Sequence, residues 1–418
     1  MNKRFIILFP FIMLIAVSTL VSCVGEDRWA EYKPLTAMDE WMDSVMRVNY
    51  YWASDMPSFK KLNYFNTPTT FLSSAKFSSD KVSHIDSIYN STNSYGINAS
   101  LEASADNDTI YNAVVTYVDT DSPAYRAGLK RGDWIMKVGD HNITTSNKST
   151  ILVNGNATTL SLGTLQTTKT DGTTTYSVVS NGTVLSMDAS KVVSDNPVHY
   201  YTTITSGSKK IGYLVYSSFD AGTSGAYLNN LRSVFASFSS NGVTDFVLDL
   251  RYNATGNDIE CARLLASMLV PSGKLGSTFV TLKKADPSKN DTLTLSSELI
   301  GSGANLNLSN IYILTTSATA QLSELLIASL APYLKVYTVG STTKGALGLT
   351  TGYTNPAFNY KFYLVTSIPV DASNKSSYTT SGIAASKSAS DTNLSTLLDF
   401  GNTNETMLAV AIALITAK

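Results

Sequence analysis

Between Ile311 and Gly348 the chain gathers the residue types that acyl-transfer chemistry uses. An apolar run, Ile311 to Leu314, reads as a buried strand, and the small residues Thr315 to Ala320 make a polar turn. Leu322 to Leu330 has the apolar spacing of a helix, closed by Pro332, and a second strand, Val336 to Val339, leads into a loop with Lys344, Gly345 and Gly348. Strand, small-residue turn and helix is the arrangement that presents a nucleophile at a helix N-terminus, where free backbone N–H groups can hold an oxyanion. Ser323 and Lys344 are one candidate nucleophile and base, because a lysine whose pKa is lowered by burial can be neutral and accept a proton. Ser317 and Thr319 are further hydroxyl candidates. The plain alternatives are a polar residue near a helix start for Ser323 and a solvated loop charge for Lys344.

Other chemistries find little support. The three histidines, His84, His141 and His199, are widely scattered, so neither a metal-ligand spacing nor a His-based triad can be argued, and no cofactor is expected. Of the two cysteines, Cys261 sits in an apolar helix pattern and reads as a core thiol. A formal net charge of -1 gives no nucleic-acid footprint.

The 418 residues, 43% hydrophobic and 15% charged, suffice for two or three domains with cores of their own. Residues 1–22 read as an export signal: Lys3 and Arg4, then the apolar stretch Phe5 to Val17, then Leu20-Val21-Ser22 before Cys23, the pattern of a lipoprotein cleavage site. Cys23 is therefore the expected lipid attachment point, with Val24 to about Pro34 a tether, and the protein is expected at the cell envelope, membrane-bound through that lipid. Thr36 to Asn49 is an amphipathic helix with Met38, Trp41, Val45, Met46 and Val48 on its apolar face, and residues 23–94 form a tether plus a small helical region.

Residues 95–194 resemble a PDZ domain, most clearly in the spacing of Ala127, Gly128, Leu129, Gly132, Asp133 and Ile135. Ser122-Pro123 opens a short helix, Trp134 to Val138 is a strand, and Asp171-Gly172 and Asn181-Gly182 read as hairpin turns. The resemblance implies a β-barrel-like domain that takes a peptide C-terminus by strand addition, its carboxylate held by the loop Tyr95-Gly96-Ile97-Asn98. That loop departs from the usual Gly-hydrophobic-Gly-hydrophobic form.

Residues 195–418 resemble the core of the C-terminal-processing, or tail-specific, serine peptidases of family S41. Besides the stretch above, Asp249-Leu250-Arg251-Tyr252-Asn253 matches a family motif that is followed by oxyanion-hole glycines. The resemblance implies a multidomain α+β protein: a ClpP/crotonase-like core, the PDZ domain and an N-terminal helical region. It implies a nucleophilic serine three residues before Glu324 and a basic lysine in the loop after Gly340-Ser341-Thr342-Thr343. Those positions hold Gln321 and Ala346, and Ala254 and Thr255 stand where glycines belong, with Gly256 after them. Ser323 and Lys344 are each two residues from the family positions, so a displaced dyad points differently around the helix. Three readings follow. The first is a pseudopeptidase that binds peptide or protein C-termini. The second is an active endopeptidase using Ser323 and Lys344. The third is a surface module for a glycan or protein, served by the 23 tyrosines.

Overall fold

A computed structural model describes residues 28–87, 93–171, 173–376, 380–391 and 397–417, with the side chains of 28–30, 170, 173 and 174 excepted. The export signal, Cys23 and Gly172 of the Asp171-Gly172 turn lie outside the described residues.

The N-terminal region comprises α1 (Arg28–Asn49), α2 (Pro68–Ala75) and β1 (His84–Ser87). The helix starts at Arg28, inside the expected tether, and runs on through Pro34, which lacks an N–H to donate and crowds the carbonyl four residues before it. Its buried stripe is Met38, Met42 and Met46, four residues apart, with Trp41 and Val45 packed alongside; Val48, expected inward, is 79% exposed. This cluster packs on Phe362, Leu364 and Val365 of the core, and Ala346 belongs to it.

The PDZ-like region follows with β2 (Ile97–Ser104), β3 (Asn107–Val118), α3 (Pro123–Arg126), β4 (Trp134–Val138), β5 (His141–Thr144), β6 (Thr158–Thr170) and β7 (Thr173–Met187). The sheet order is β2-β3-β5-β4-β6-β7, with β2 at an edge. Ser122 caps α3 through its hydroxyl, as its sequence position suggests. Asn181-Gly182 is not a turn. Ser161 pairs with Val184 and Gly163 with Ser180, so residues 181–183 bulge opposite Leu162. Gly182 has φ +78°, which a hairpin turn and a bulge both require, so the dipeptide alone does not distinguish them.

The core contains β8 (Val198–Ser206), β9 (Lys209–Tyr216), β10 (Ser218–Phe219), α4 (Ala226–Ser240), β11 (Asp245–Asp249), β12 (Thr255–Gly256) and α5 (Ile259–Leu269). It continues with β13 (Thr278–Lys283), β14 (Asp291–Thr294), α6 (Ser297–Ile300), β15 (Asn310–Thr315), α7 (Leu322–Leu330), β16 (Lys335–Gly340), β17 (Leu349–Thr354), β18 (Tyr360–Val370), β19 (Lys387–Ser388) and α8 (Thr406–Thr416). Its main sheet runs β19-β16-β15-β11-β9-β8, parallel except for β8. Alternate residues of β9, β11 and β15 divide between two cores. Leu214, Phe246, Leu248, Ile311 and Ile313 face α4, α5 and α7, whereas Tyr213, Val247, Tyr312 and Leu314 face α8. Burial on both faces explains why these strands read as unbroken apolar runs. A second, antiparallel sheet of β1, β18, β13 and β14, with β17 on β18, completes the core.

Arg131 fastens the PDZ-like region to this core. Its Nε donates to the Leu398 carbonyl (2.9 Å), and Nη1 donates to the Tyr252 hydroxyl (2.6 Å) and, within its own region, to the Thr116 carbonyl (2.6 Å). Its Nη2 lies 3.7 Å from Glu405.

Candidate active-site region

Three parallel neighbours, β11, β15 and β16, deliver the loops that resemble a catalytic site, all from their C-terminal ends. Open parallel sheets place their ligand crevices at that edge. The loop after β11 is rigid because Arg251, with no exposed surface, grips Asp249 through Nε and Nη2 (3.0 and 2.7 Å). Its Nη1 reaches Glu405 at 2.7 Å, and the Tyr213 hydroxyl adds a bond to Asp249 (2.7 Å). Burial pushes the Asp249 carboxyl toward its neutral form, but the Arg251 charge and these hydrogen bonds outweigh it and hold its pKa below the usual value. Asp249-Leu250-Arg251-Tyr252-Asn253 thus forms a buried structural knot.

The small-residue turn after β15 is stapled to that knot. Thr316 Oγ1 donates to the Arg251 carbonyl (2.6 Å), Thr319 Oγ1 to the Leu250 carbonyl (2.9 Å), and the Ala320 N–H to the Asn253 carbonyl (3.2 Å). Thr319 is fully buried in this role, and Ser317 is exposed. Ser323 is fully buried too, and its hydroxyl donates to the Asn253 carbonyl (3.1 Å). Lys344 is exposed, its backbone N–H donating to the Thr319 carbonyl (2.9 Å), and no hydrogen bond joins its amine to Ser323. One turn into a helix, a side chain two positions past the cap points away from the cap's side.

Gln321 and Ala346 are brought together, by Glu324. This carboxylate, 1% exposed, accepts the Gln321 N–H (3.1 Å), the Ala346 N–H (3.0 Å), the Gly345 N–H (2.7 Å) and the Thr343 hydroxyl (2.5 Å). In return the Gln321 side chain takes the Glu324 backbone N–H, a reciprocal capping box at the start of α7. Gln321 has φ 52° and ψ −112°, a combination that residues with a Cβ avoid. It is the strained strand-to-helix turn on which hydrolases lift a nucleophile. The side chain lifted here is an amide that caps its own helix, and the one at 346 is a buried methyl.

In the expected oxyanion region, neither Ala254 nor Thr255 adopts positive φ, so their side chains do not strain the backbone there. Gly256 does (φ +82°), and a Cβ on it would lie 2.4 Å from the Phe219 backbone, to which β12 is paired. The glycine serves this close strand contact. Cys261 is a buried thiol whose pKa burial raises to about 12, as suits a core residue. Among the described residues no group of His, Cys, Asp and Glu could hold a metal ion.

In the PDZ-like loop the Tyr95 N–H donates to the Val153 carbonyl (2.8 Å) and the Gly96 N–H to the Ser94 hydroxyl (2.9 Å). Asn98 is tied by its side chain to Asp119 (3.0 Å), and Ile97 opens β2. Two of the four backbone donors assigned to carboxylate capture are therefore committed within the chain.

Residues 37–84 match the model of the peptidase S41 N-terminal domain, 210–383 that of peptidase family S41, and 114–151 that of a PDZ domain. A crystal structure of a candidate S41 protease from Bacteroides fragilis NCTC 9343 is 39% identical, covers 90% of this chain and 97% of its own, and superposes with a TM-score of 0.84. The chain belongs to peptidase family S41. The photosystem II D1 C-terminal processing protease also aligns, at 15% identity over 84% of this chain and 92% of that one, with a TM-score of 0.47. No curated protein matches the chain. Within the S41 frame, the α+β core, the PDZ domain and the N-terminal helical region are those the sequence implies. The fourfold role of Glu324 was not among the sequence expectations. Gln is not among the usual N-cap residues, so Gln321-Leu322-Ser323-Glu324 lacks the Ser/Thr-x-x-Glu form that would have signalled a capping box.

Proposed function

We propose that this S41 family member binds polypeptide without cutting it. One observation carries the reading. Glu324 holds positions 321 and 346 on a single carboxylate, in the strained turn suited to a nucleophile, and the residues so placed are Gln and Ala. A primary amide offers no useful nucleophile and a methyl accepts no proton, and the two groups of such a dyad act as a unit. The displaced pair does not replace them: the Ser323 hydroxyl is spent on the Asn253 carbonyl, and Lys344 is exposed with no hydrogen bond to Ser323. What remains is a cleft beside Gln321 and an unpaired strand edge on β2, both of which suit an extended peptide. We also infer that Cys23 carries lipid and holds the protein at the cell envelope, on the strength of the leader ahead of it.

Incubation of the purified protein with casein and with a tailed peptide tests the reading. No cleavage is expected. Turnover that disappears in Ser323→Ala or Lys344→Ala overturns it.

A further inference from the structure

The apolar stripe of α1 runs past the core it serves. Leu35 lies on the same helix face as Met38, Met42 and Met46, yet those three are buried and Leu35 is 64% exposed. All of residues 31–35 are exposed, so the first turns of α1 project beyond the body. Tyr32 adds an exposed ring on these turns, and Phe65, 57% exposed, meets it edge-on with 5.9 Å between ring centroids. Beside Met38 the surface dips into a groove of about 440 Å³, lined by Pro68, Ala357, Phe358 and the half-exposed Tyr360, with no charged side chain in its wall among the described residues. Glu31 and Lys33, both exposed, flank this apolar end with charges that cancel. An exposed apolar patch rimmed by polar residues marks contact with a protein or a membrane.

Covalent geometry chooses between the two. Five peptide steps separate Cys23 from Arg28, where α1 begins, and a fully extended chain covers at most about 18 Å in five steps. A lipid on Cys23 therefore holds the projecting turns close to the bilayer surface. Tyrosine suits that zone, its ring among the acyl chains and its hydroxyl among the headgroups. We propose that Tyr32, Leu35, Phe65 and the groove edge at Tyr360 dip into the interface of the bilayer that holds the Cys23 lipid, and so fix which way the body faces. The proposal rests on the lipid reading above. The patch is small, so it orients a protein that the lipid already holds and does not anchor it alone. Val48, exposed about 20 Å further along α1 from Leu35, stays in water.

Fluorescence quenching by lipid tests this. Cys23 carries the lipid and Cys261 is buried, so a thiol-reactive fluorophore labels only a cysteine introduced at the surface. The lipidated full chain, labelled in turn at Leu35→Cys, Phe65→Cys and Val48→Cys, is reconstituted into phosphatidylcholine vesicles that contain phosphatidylcholine brominated near the headgroup end of its acyl chains. Every variant is expected to float with the vesicles. Quenching is expected to be at least about threefold greater at 35 and 65 than at 48, because an interfacial face sits within the depth of the bromines. Adding Tyr32→Ser and Phe65→Ser to the Leu35→Cys protein is expected to bring its quenching down toward the level at 48. Quenching at 35 and 65 no greater than at 48, in protein that floats, overturns the proposal and leaves the lipid reading in place. A label at 35 shielded from lipid, in protein with the mass of a dimer, also overturns it, by giving the patch to a second copy. Protein that does not float overturns the lipid reading and this proposal with it.

Discussion

The Glu324 carboxylate and the Ala346 N–H meet at 3.0 Å, joining the first turn of α7 to the loop after β16. Because the same carboxylate takes the Gln321 N–H, the two positions expected to carry catalysis are fixed relative to one another through their backbone N–H groups and the Glu324 side chain.

Glu324→Gln removes two acceptor sites and points an amide NH2 at backbone N–H groups that cannot accept. Buried donors left unpaired around a lost charge cost a few kcal/mol, so a loss of about 3 kcal/mol is expected. Urea denaturation checks it: the midpoint should fall with the slope unchanged.

Gln321→Gly should stabilise the protein. The turn at φ 52° and ψ −112° costs a residue with a Cβ roughly 1–3 kcal/mol, which glycine avoids. Loss of the side-chain cap and the greater freedom of glycine when unfolded return part of this, roughly 0.5–1 kcal/mol. A net gain of about 1 kcal/mol, read from thermal melts, is the expected result. A protein that bound peptide through the Gln321 amide would lose affinity at the same time.

How much of this was legible beforehand depends on the range of the interaction. Local signals carried well: Leu322–Leu330 and Trp134–Val138 are observed with the bounds the pattern gave, and Ser122 caps its helix as expected. The sequence pointed to positions 321 and 346 through the family resemblance, but not to the carboxylate that joins them, because the 343–346 loop returns to α7 only in three dimensions. Asn181-Gly182 and Val48 were misread for a related reason. A left-handed glycine serves a bulge as well as a turn, and a helix near its end can rotate an apolar residue out to solvent.

Arg131→Met should loosen the PDZ-like region from the core. It deletes the bonds to the Leu398 carbonyl and the Tyr252 hydroxyl, while Glu405 keeps Arg251 at 2.7 Å and the Leu408 N–H at 2.9 Å. Truncating one buried, hydrogen-bonded charge costs about 2–5 kcal/mol, charged here to the contact between the two bodies. Limited proteolysis should then cut between residues 188 and 197 faster than in the parent protein, with the core fragment surviving.

The lipid anchor is tested by labelling. Expressed in a bacterium that processes lipoproteins, the chain should incorporate labelled fatty acid and partition with membranes. Cys23→Ala should abolish both. No helix among the described residues is long and apolar enough to cross a membrane, so residual membrane association of that variant would place the anchor in the uncleaved leader.

Asp39 provides a pH dependence of stability. It is 1% exposed among the methionines of α1, both carboxylate oxygens lack a hydrogen-bond partner among the described residues, and burial raises its pKa to about 7 from 3.8. A raised carboxyl pKa means that the folded state holds a proton which the unfolded chain has released. Stability from this group is therefore greatest below pH 4, declines as pH rises from about 4 to 7, and is flat above that. The full span is a few kcal/mol, at about 1.4 kcal/mol per pH unit of displacement. Asp39→Asn keeps the shape and removes the titration, so the variant should lose that decline and be more stable than the parent at pH 8. Denaturation midpoints measured at pH 5, 6, 7 and 8 decide it: parallel curves for the two proteins would mean that Asp39 is ionised in the fold and compensated by a partner.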